Sequence, residues 1–245
     1  MRQRIALLAG VVALASTSAF AQTVSVSFSQ PMIHSGLFMM RPDGRHSGSA
    51  VQTGEKVGAD LAGTLFLMQL AHMVYPSTFV LYAKYRFAWG SQMVGYTLAI
   101  VGVLSAVIQG GLIGRAIKAW GERRTLLFGL AMGAIGFGLY GLAPTGYWFW
   151  LAMPITAMWG FAMPAAQGLM TRQVAPTEQG RLQGAIGSLA SVAGIIGPLL
   201  FTGVFSRVTG AHLHSAWVGI TFWLAAAMLL GGLYLAWRST RGRPA

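Results

Sequence analysis

The chain has 245 residues, 55% of them apolar and only 9% charged, with a net charge of +12 and no cysteine. Soluble domains carry about 25% charged residues, so this composition excludes an ordinary water-soluble fold, and the absence of Cys excludes a disulfide framework or a thiolate metal or redox site. The basic excess does not point to nucleic acid either. Nucleic-acid binders gather Lys and Arg on one face with aromatics for stacking, whereas here the basic residues punctuate the turns between apolar stretches.

Residues 1–21 have the form of a secretory signal. Arg2 and Arg4 precede an apolar run, and Ala19-Phe-Ala21 offers a cleavage site before Gln22. Residues 22–60 are polar and aperiodic, with Pro31 and Pro42, and read as a linker or disordered segment. Six apolar stretches follow, at 61–82, 92–113, 125–143, 148–170, 185–205 and 216–237, none with Asp, Glu, Lys or Arg in its interior. Each is close to the roughly 20 residues that cross a hydrocarbon core of about 30 Å. The expected fold class is an all-α membrane protein, a six-transmembrane-helix bundle over 61–237 with a basic tail at 238–245. The lipid bilayer is its first implied partner.

Basic residues set the expected orientation. Arg115, Lys118, Arg123 and Arg124 lie between the second and third spans, Arg172 and Arg181 between the fourth and fifth, and Arg238, Arg241 and Arg243 in the tail. For an even number of crossings these share one side, against Lys84, Arg86 and Arg207 on the other, which makes the former side cytoplasmic. The signal-like segment conflicts with this. Cleaved or retained, it would start the first span from the wrong side; the bias distributed over nine basic residues outweighs one N-terminal segment. An N-terminus joined to the rest by a rearrangement, or by a gene-model error, would reconcile the two.

Several segments carry a family resemblance. They are Phe66-Leu-Met-Gln-Leu70, Tyr85-Arg-Phe-Ala-Trp89, Trp120-Gly-Glu-Arg-Arg-Thr-Leu-Leu127, Gly160-Phe-Ala-Met-Pro-Ala-Ala-Gln167, Thr171-Arg-Gln-Val174, Gln179-Gly-Arg-Leu-Gln-Gly184 and Gly194-Ile-Ile-Gly-Pro-Leu-Leu-Phe-Thr202. In this order, residues 61 to 206 resemble the C-terminal six-helix half of a major facilitator superfamily transporter, of the tetracycline-resistance, multidrug proton-antiporter branch. The resemblance implies export of a hydrophobic small molecule against inward proton flow, with substrate held between two pseudo-symmetric bundles at mid-membrane. It also implies an inner (plasma) membrane location and a second six-helix half, supplied by a homodimer or a separate chain. Gly114, Gly121, Arg123 and Arg124 echo the family's cytoplasmic loop motif, but Lys118 stands where the stricter first-half version has Asp. That departure removes a charge-relay reading from this loop, leaving the two arginines to latch onto helix ends or lipid, or only to fix topology.

Candidate substrate-binding residues come from polar and adaptable side chains at membrane depth. Gln69 and His72 share a helix face one turn apart, and Pro76, a turn further, can open the first span locally. Gln69 belongs to the resemblance; His72 does not. His72 is also the one group inside a span that titrates near neutral pH, since Asp43, Glu55, Asp60, Glu122 and Glu178 all lie outside the helix interiors. A proton site must therefore be His72 or belong to a partner. In the fourth span Trp159, Met163 and Gln167 form one stripe between Pro154 and Pro164, suited to a flat hydrophobic ligand or to plain packing. Gly187, Ser191, Gly194 and Pro198 form a small-residue seam in the fifth span, a packing face or a gate. Pro76, Pro164, Gly194 and Pro198 are the candidate gating positions.

His212 and His214 lack a third ligand, so no metal is expected. No nucleophile–base constellation or phosphate loop appears, so no cofactor, enzyme activity or ATP-driven pump is expected. The rival to a transporter is a non-transporting truncated membrane protein, or an accessory subunit that only binds other helices.

Overall fold

The computed structural model describes residues 48–211 and 216–241. The signal-like segment, most of the 22–60 stretch, His212, His214 and Arg243 lie outside them. Two units divide the chain, Met1–Val51 and Gln52–Ala245. Of the first, only residues 48–51 are described, and they are helical.

Among the described residues every regular element is helical. Eight α-helices run in order: α1 Gly48–His72, α2 Val74–Phe87, α3 Ser91–Val107, α4 Ile113–Leu142, α5 Gly146–Ala157, α6 Ala162–Thr171, α7 Gln179–Ala211 and α8 Ile220–Thr240. A π-turn, Ile108–Leu112, joins α3 to α4, and a 3-10 turn, Met158–Phe161, joins α5 to α6. The stretch read as linker thus becomes helical from Gly48.

Among the described residues five helical runs, not six, are long and apolar enough to span a membrane. The second and third expected spans are merged in one helical run of 52 residues, Ser91–Leu142. At about 1.5 Å per residue that run would be roughly 78 Å long if straight, far more than a bilayer core. It is not straight. Gly121 has φ 77° and ψ 164°, a non-helical conformation inside α4. Ile108 and Phe128 would sit about 30 Å apart along one straight helix, yet both pack in the cluster around Phe161. Thr97 and Tyr140 likewise reach adjacent residues of α5: Trp150 donates Nε1–H to Thr97 Oγ1 at 3.0 Å, and Tyr140 stacks on Phe149 with centroids 4.0 Å apart. The run folds back at Gly121 into two legs. A turn read from sequence as non-helical is helical on both sides of a single glycine.

The two ends of the bundle are closed by different chemistry. At one end the core is aromatic: Tyr82, Tyr140, Phe149 and Phe222 are buried together, and Tyr82 Oη donates to the Tyr140 carbonyl at 2.7 Å. Burying these rings removes large apolar areas and leaves the Tyr82 hydroxyl satisfied. At the other end, which carries the basic turns, the ties are polar. Arg238 donates to both carboxylate oxygens of Asp60, joining the start of the first span to the end of the last. Arg123 Nε donates to Thr240 Oγ1 at 3.0 Å, and Arg172 pairs with Glu122 at 3.0 Å.

The close-packed seam lies in α4 rather than α7. A methyl group on Gly129 would meet the backbone of Ala162 at 2.7 Å, and one on Gly136 would meet Thr156 Oγ1 and its Cα at 2.3 and 2.6 Å. These glycines let the second leg of α4 lie directly against α5 and α6. By contrast Gly187 and Gly194 of α7 have open space where a Cβ would go, so their seam has no partner within the described chain.

Candidate functional site

The first span is interrupted where Pro76 requires it. A proline lacks the N–H that would bond the carbonyl four residues back, and its ring crowds that carbonyl. Here the affected carbonyl is that of His72, and α1 ends at His72 with a single turn residue, Met73, before α2. The fourth span repeats the device. Pro164 cannot bond the Gly160 carbonyl, and the 3-10 turn Met158–Phe161 sits just before it. Pro198 in α7 leaves that helix continuous, and Thr202 Oγ1 donates to its carbonyl at 2.5 Å.

These irregular segments meet. The rings of His72 and Trp159 lie 5.4 Å apart, so the break in the first span touches the 3-10 turn of the fourth. Trp159 also packs edge-on to Phe137 at 5.4 Å, in space left by Gly133, where a Cβ would come within 2.8 Å of the indole. The π-turn of the second span contributes Ile108, whose Cγ2 lies 3.5 Å from where a Gly160 Cβ would be. The fifth span enters at Gly197, where a Cβ would lie 2.4 Å from Met73 Cβ. Spans one, two, four and five therefore meet at segments where helical bonding is altered or the backbones nearly touch. The third and sixth, regular beyond Gly121, form the packed backing. Altered backbone of this kind at membrane depth is tolerated where it is buried in protein or lines a cavity.

Of the five sequence-predicted binding residues, the structure joins His72 and Trp159 directly. Met163 packs partly buried against the main core, one turn beyond Trp159. Gln69 and Gln167 are half-buried, and His72 is exposed. The indole Nε1–H of Trp159 is buried and without a hydrogen-bond partner, a donor left available where the two breaks meet. None of the five lines either of the two cavities described below.

In the basic-turn motif, Gly121 supplies the positive φ of the fold-back and Arg123 reaches the end of α8. Gly114 and Arg124 are exposed. Sequence reasoning missed Asp60, whose carboxylate holds Arg238, and the π-turn. The first had a signal: an acid at the start of the first span and a base at the end of the sixth share one end of a bundle with even crossings. The π-turn had none, because Gln109-Gly110-Gly111 permits a wider turn without requiring it.

The apolar surface is uneven. Only 17% and 22% of the apolar windows of Ser91–Leu142 and Pro176–Gly210 are buried, against 44% in each of the other three runs. Ile195 and Leu199 of α7 are 68% and 72% exposed. Such faces require lipid or another helical bundle beside them.

The model of the Major Facilitator Superfamily matches residues 61–245. The class C tetracycline resistance protein of Escherichia coli is 36% identical over 180 residues, covering 72% of this chain and 43% of that protein. The class G protein of Vibrio anguillarum is 36% identical over 169 residues, 69% of this chain and 42% of the relative. Among solved structures, the human organic anion transporter MFSD10 (TETRAN) superposes with a TM-score of 0.61 at 20% identity, over 79% of this chain and 43% of that one. The chain thus spans less than half the length of these relatives.

Proposed function

Because the chain belongs to the Major Facilitator Superfamily, a family of multi-pass membrane transporters and not of enzymes, we propose that it acts as one half of an efflux transporter for a hydrophobic, tetracycline-like small molecule. It sits in the inner membrane and works by alternating access, with inward proton flow as the driving force. Gln69, His72, Trp159, Met163 and Gln167 face the substrate path. Trp159 stacks on the substrate, Met163 adapts to its outline, and Gln69, Gln167 and the unpaired Trp159 N–H provide hydrogen bonds. The single observation that carries this reading is the contact of two helix interruptions, at His72 and Trp159.

The gate is formed where helix bonding is already absent. Pro76 and Pro164 leave carbonyls free at those breaks, so a change of helix direction there loses no further bond. Gly194 and Pro198 allow a smaller adjustment of α7. The coupling proton binds at His72 or on a carboxylate of the second half.

The second half packs against the exposed faces of α3 and α7 and closes the site from the other side. It is a second copy of this chain or a separate six-helix bundle. A second reading, a non-transporting membrane subunit that binds other helices, is favoured by one specific observation, the bare apolar face of α7, where Ile195 and Leu199 are 68% and 72% exposed. Tetracycline accumulation in a drug-sensitive strain separates the two. The chain, alone or with the first half of the class C protein, is expected to lower accumulation, and Trp159→Ala to weaken drug handling about tenfold, equivalent to roughly 1.4 kcal/mol of lost contact. Unchanged accumulation with correctly inserted protein would support the non-transporting subunit.

A further inference from the structure

The end of the bundle opposite the ionic ties holds a cavity of about 560 Å³ whose wall includes Lys84, Arg86, Trp89, Pro144 and Thr145. Beside it runs a second cavity of about 190 Å³ formed by Leu139, Leu142, Pro144, Trp148, Leu151 and Ile155. The two share Pro144. Arg86 is fixed at their junction, because its Nε donates to the carbonyl of Ala143, a residue of the second cavity, at 3.2 Å. The Tyr82 hydroxyl also lies within hydrogen-bonding reach of the guanidinium, and of its five N–H donors those beyond these two partners can bind an anion.

Two features make this arrangement unusual. Only three basic residues fall on this side by the charge reading, Lys84, Arg86 and Arg207, and two of them line one cavity. Basic residues are depleted on the outward side of membrane proteins, so a pair in one wall calls for a counter-charge. The two ion pairs seen among the described residues are both at the other end, at Glu122 and Asp60. The neighbouring cavity, in turn, is entirely apolar in its side chains. It extends from Pro144 to Ile155, roughly 15 Å along α5, from the level of the exposed Tyr147 and Trp148 toward the bundle's middle. Tyr and Trp in such positions mark the headgroup level of a bilayer.

We propose that these two cavities form a binding site for an anionic phospholipid, the phosphate held by Lys84 and Arg86 and an acyl chain laid in the groove between α4 and α5. Charge selects the headgroup and the groove selects an amphiphile over a free anion. The site is separate from the His72–Trp159 face and does not depend on what crosses there.

Native mass spectrometry of the purified full chain tests this, titrated with dioleoyl-phosphatidylglycerol and, in parallel, dioleoyl-phosphatidylcholine. The phosphatidylglycerol adduct is expected to predominate, and the preference to fall about fivefold for each cation removed in Lys84→Gln and Lys84→Gln/Arg86→Gln. Ile155→Trp, which fills the groove, is expected to lower lipid retention. The single Lys84→Gln variant removes an exposed side chain and keeps the test valid if loss of the Arg86 bond prevents folding. Equal retention of the two lipids by the unsubstituted chain, or a preference that survives Lys84→Gln undiminished, would overturn the proposal. Displacement of the lipid by inorganic phosphate, with Ile155→Trp without effect, would mean a phosphate-ion site and would overturn it too.

Discussion

Gly121 shows how much one residue decides. Its φ of 77° with ψ of 164° lies where only glycine is comfortable, and the whole second and third spans turn on it. Any side chain there adds strain that neighbouring packing cannot relieve, since the problem is in the backbone and the surrounding space is empty. Gly121→Ala is therefore expected to lower stability by roughly 1–3 kcal/mol, read as a reduced midpoint of thermal unfolding in detergent. Gly114, helical and in open space, should accept Ala without loss. Equal effects at the two positions would argue that the loop sequence, not the backbone angle, is what matters.

At the scale of elements, the balance is between small-residue seams that pack and those that do not. Gly136 sits so close to Thr156 that a methyl group would press on its Cα, a contact with backbone that cannot rotate away. Gly136→Ala should cost about 1–3 kcal/mol by overpacking. Gly138, two residues on in the same helix, has no atom within 4 Å of the Cβ position, and Gly138→Ala should be neutral or stabilising by up to about 1 kcal/mol. Parallel unfolding curves of the two variants check this directly; indistinguishable curves would contradict the seam.

The same comparison explains what could be read in advance. Spacing of small residues says that a face can approach a neighbour closely, not which neighbour is there, so the α7 series was singled out from sequence while the α4 glycines that pack were not. Proline is more informative because its missing N–H acts locally, and the break at Met73 was legible from Pro76 alone. The fold-back at Gly121 was legible as a turn but not as helix on both sides, since the flanking basic residues are also good helix formers. Of the site, the residue types and their two helices could be read, while the meeting of His72 with Trp159 depends on tertiary packing between spans distant in sequence. The Asp60–Arg238 pair, 178 positions apart, was legible only as two opposite charges sharing one end of a bundle with even crossings; their direct contact depends on how the first and last spans pack.

For the molecule as a whole, the contrast between its two ends and its bare flank sets the functional account. Aromatic packing closes one end and polar ties the other, and the α4 seam packs along the bundle between them. The interrupted backbone lies between these anchors, where direction can change without unpacking either end. The flank formed by α3 and α7 stays apolar and exposed, the surface on which a second bundle would complete a path. On the proposed function His72 would face an aqueous route there, because a polar side chain in lipid is costly unless water or a partner receives it.

The chain contains no cysteine, so a single one at position 72 can be labelled without background. The measurement that most directly tests the account is the rate at which His72→Cys, in the inserted protein with its second half present, reacts with a membrane-impermeant maleimide with and without tetracycline. The account predicts that the thiol reacts and that the drug slows the reaction. A thiol sealed from the reagent under all conditions, or one labelled at the same rate with drug bound, would contradict it.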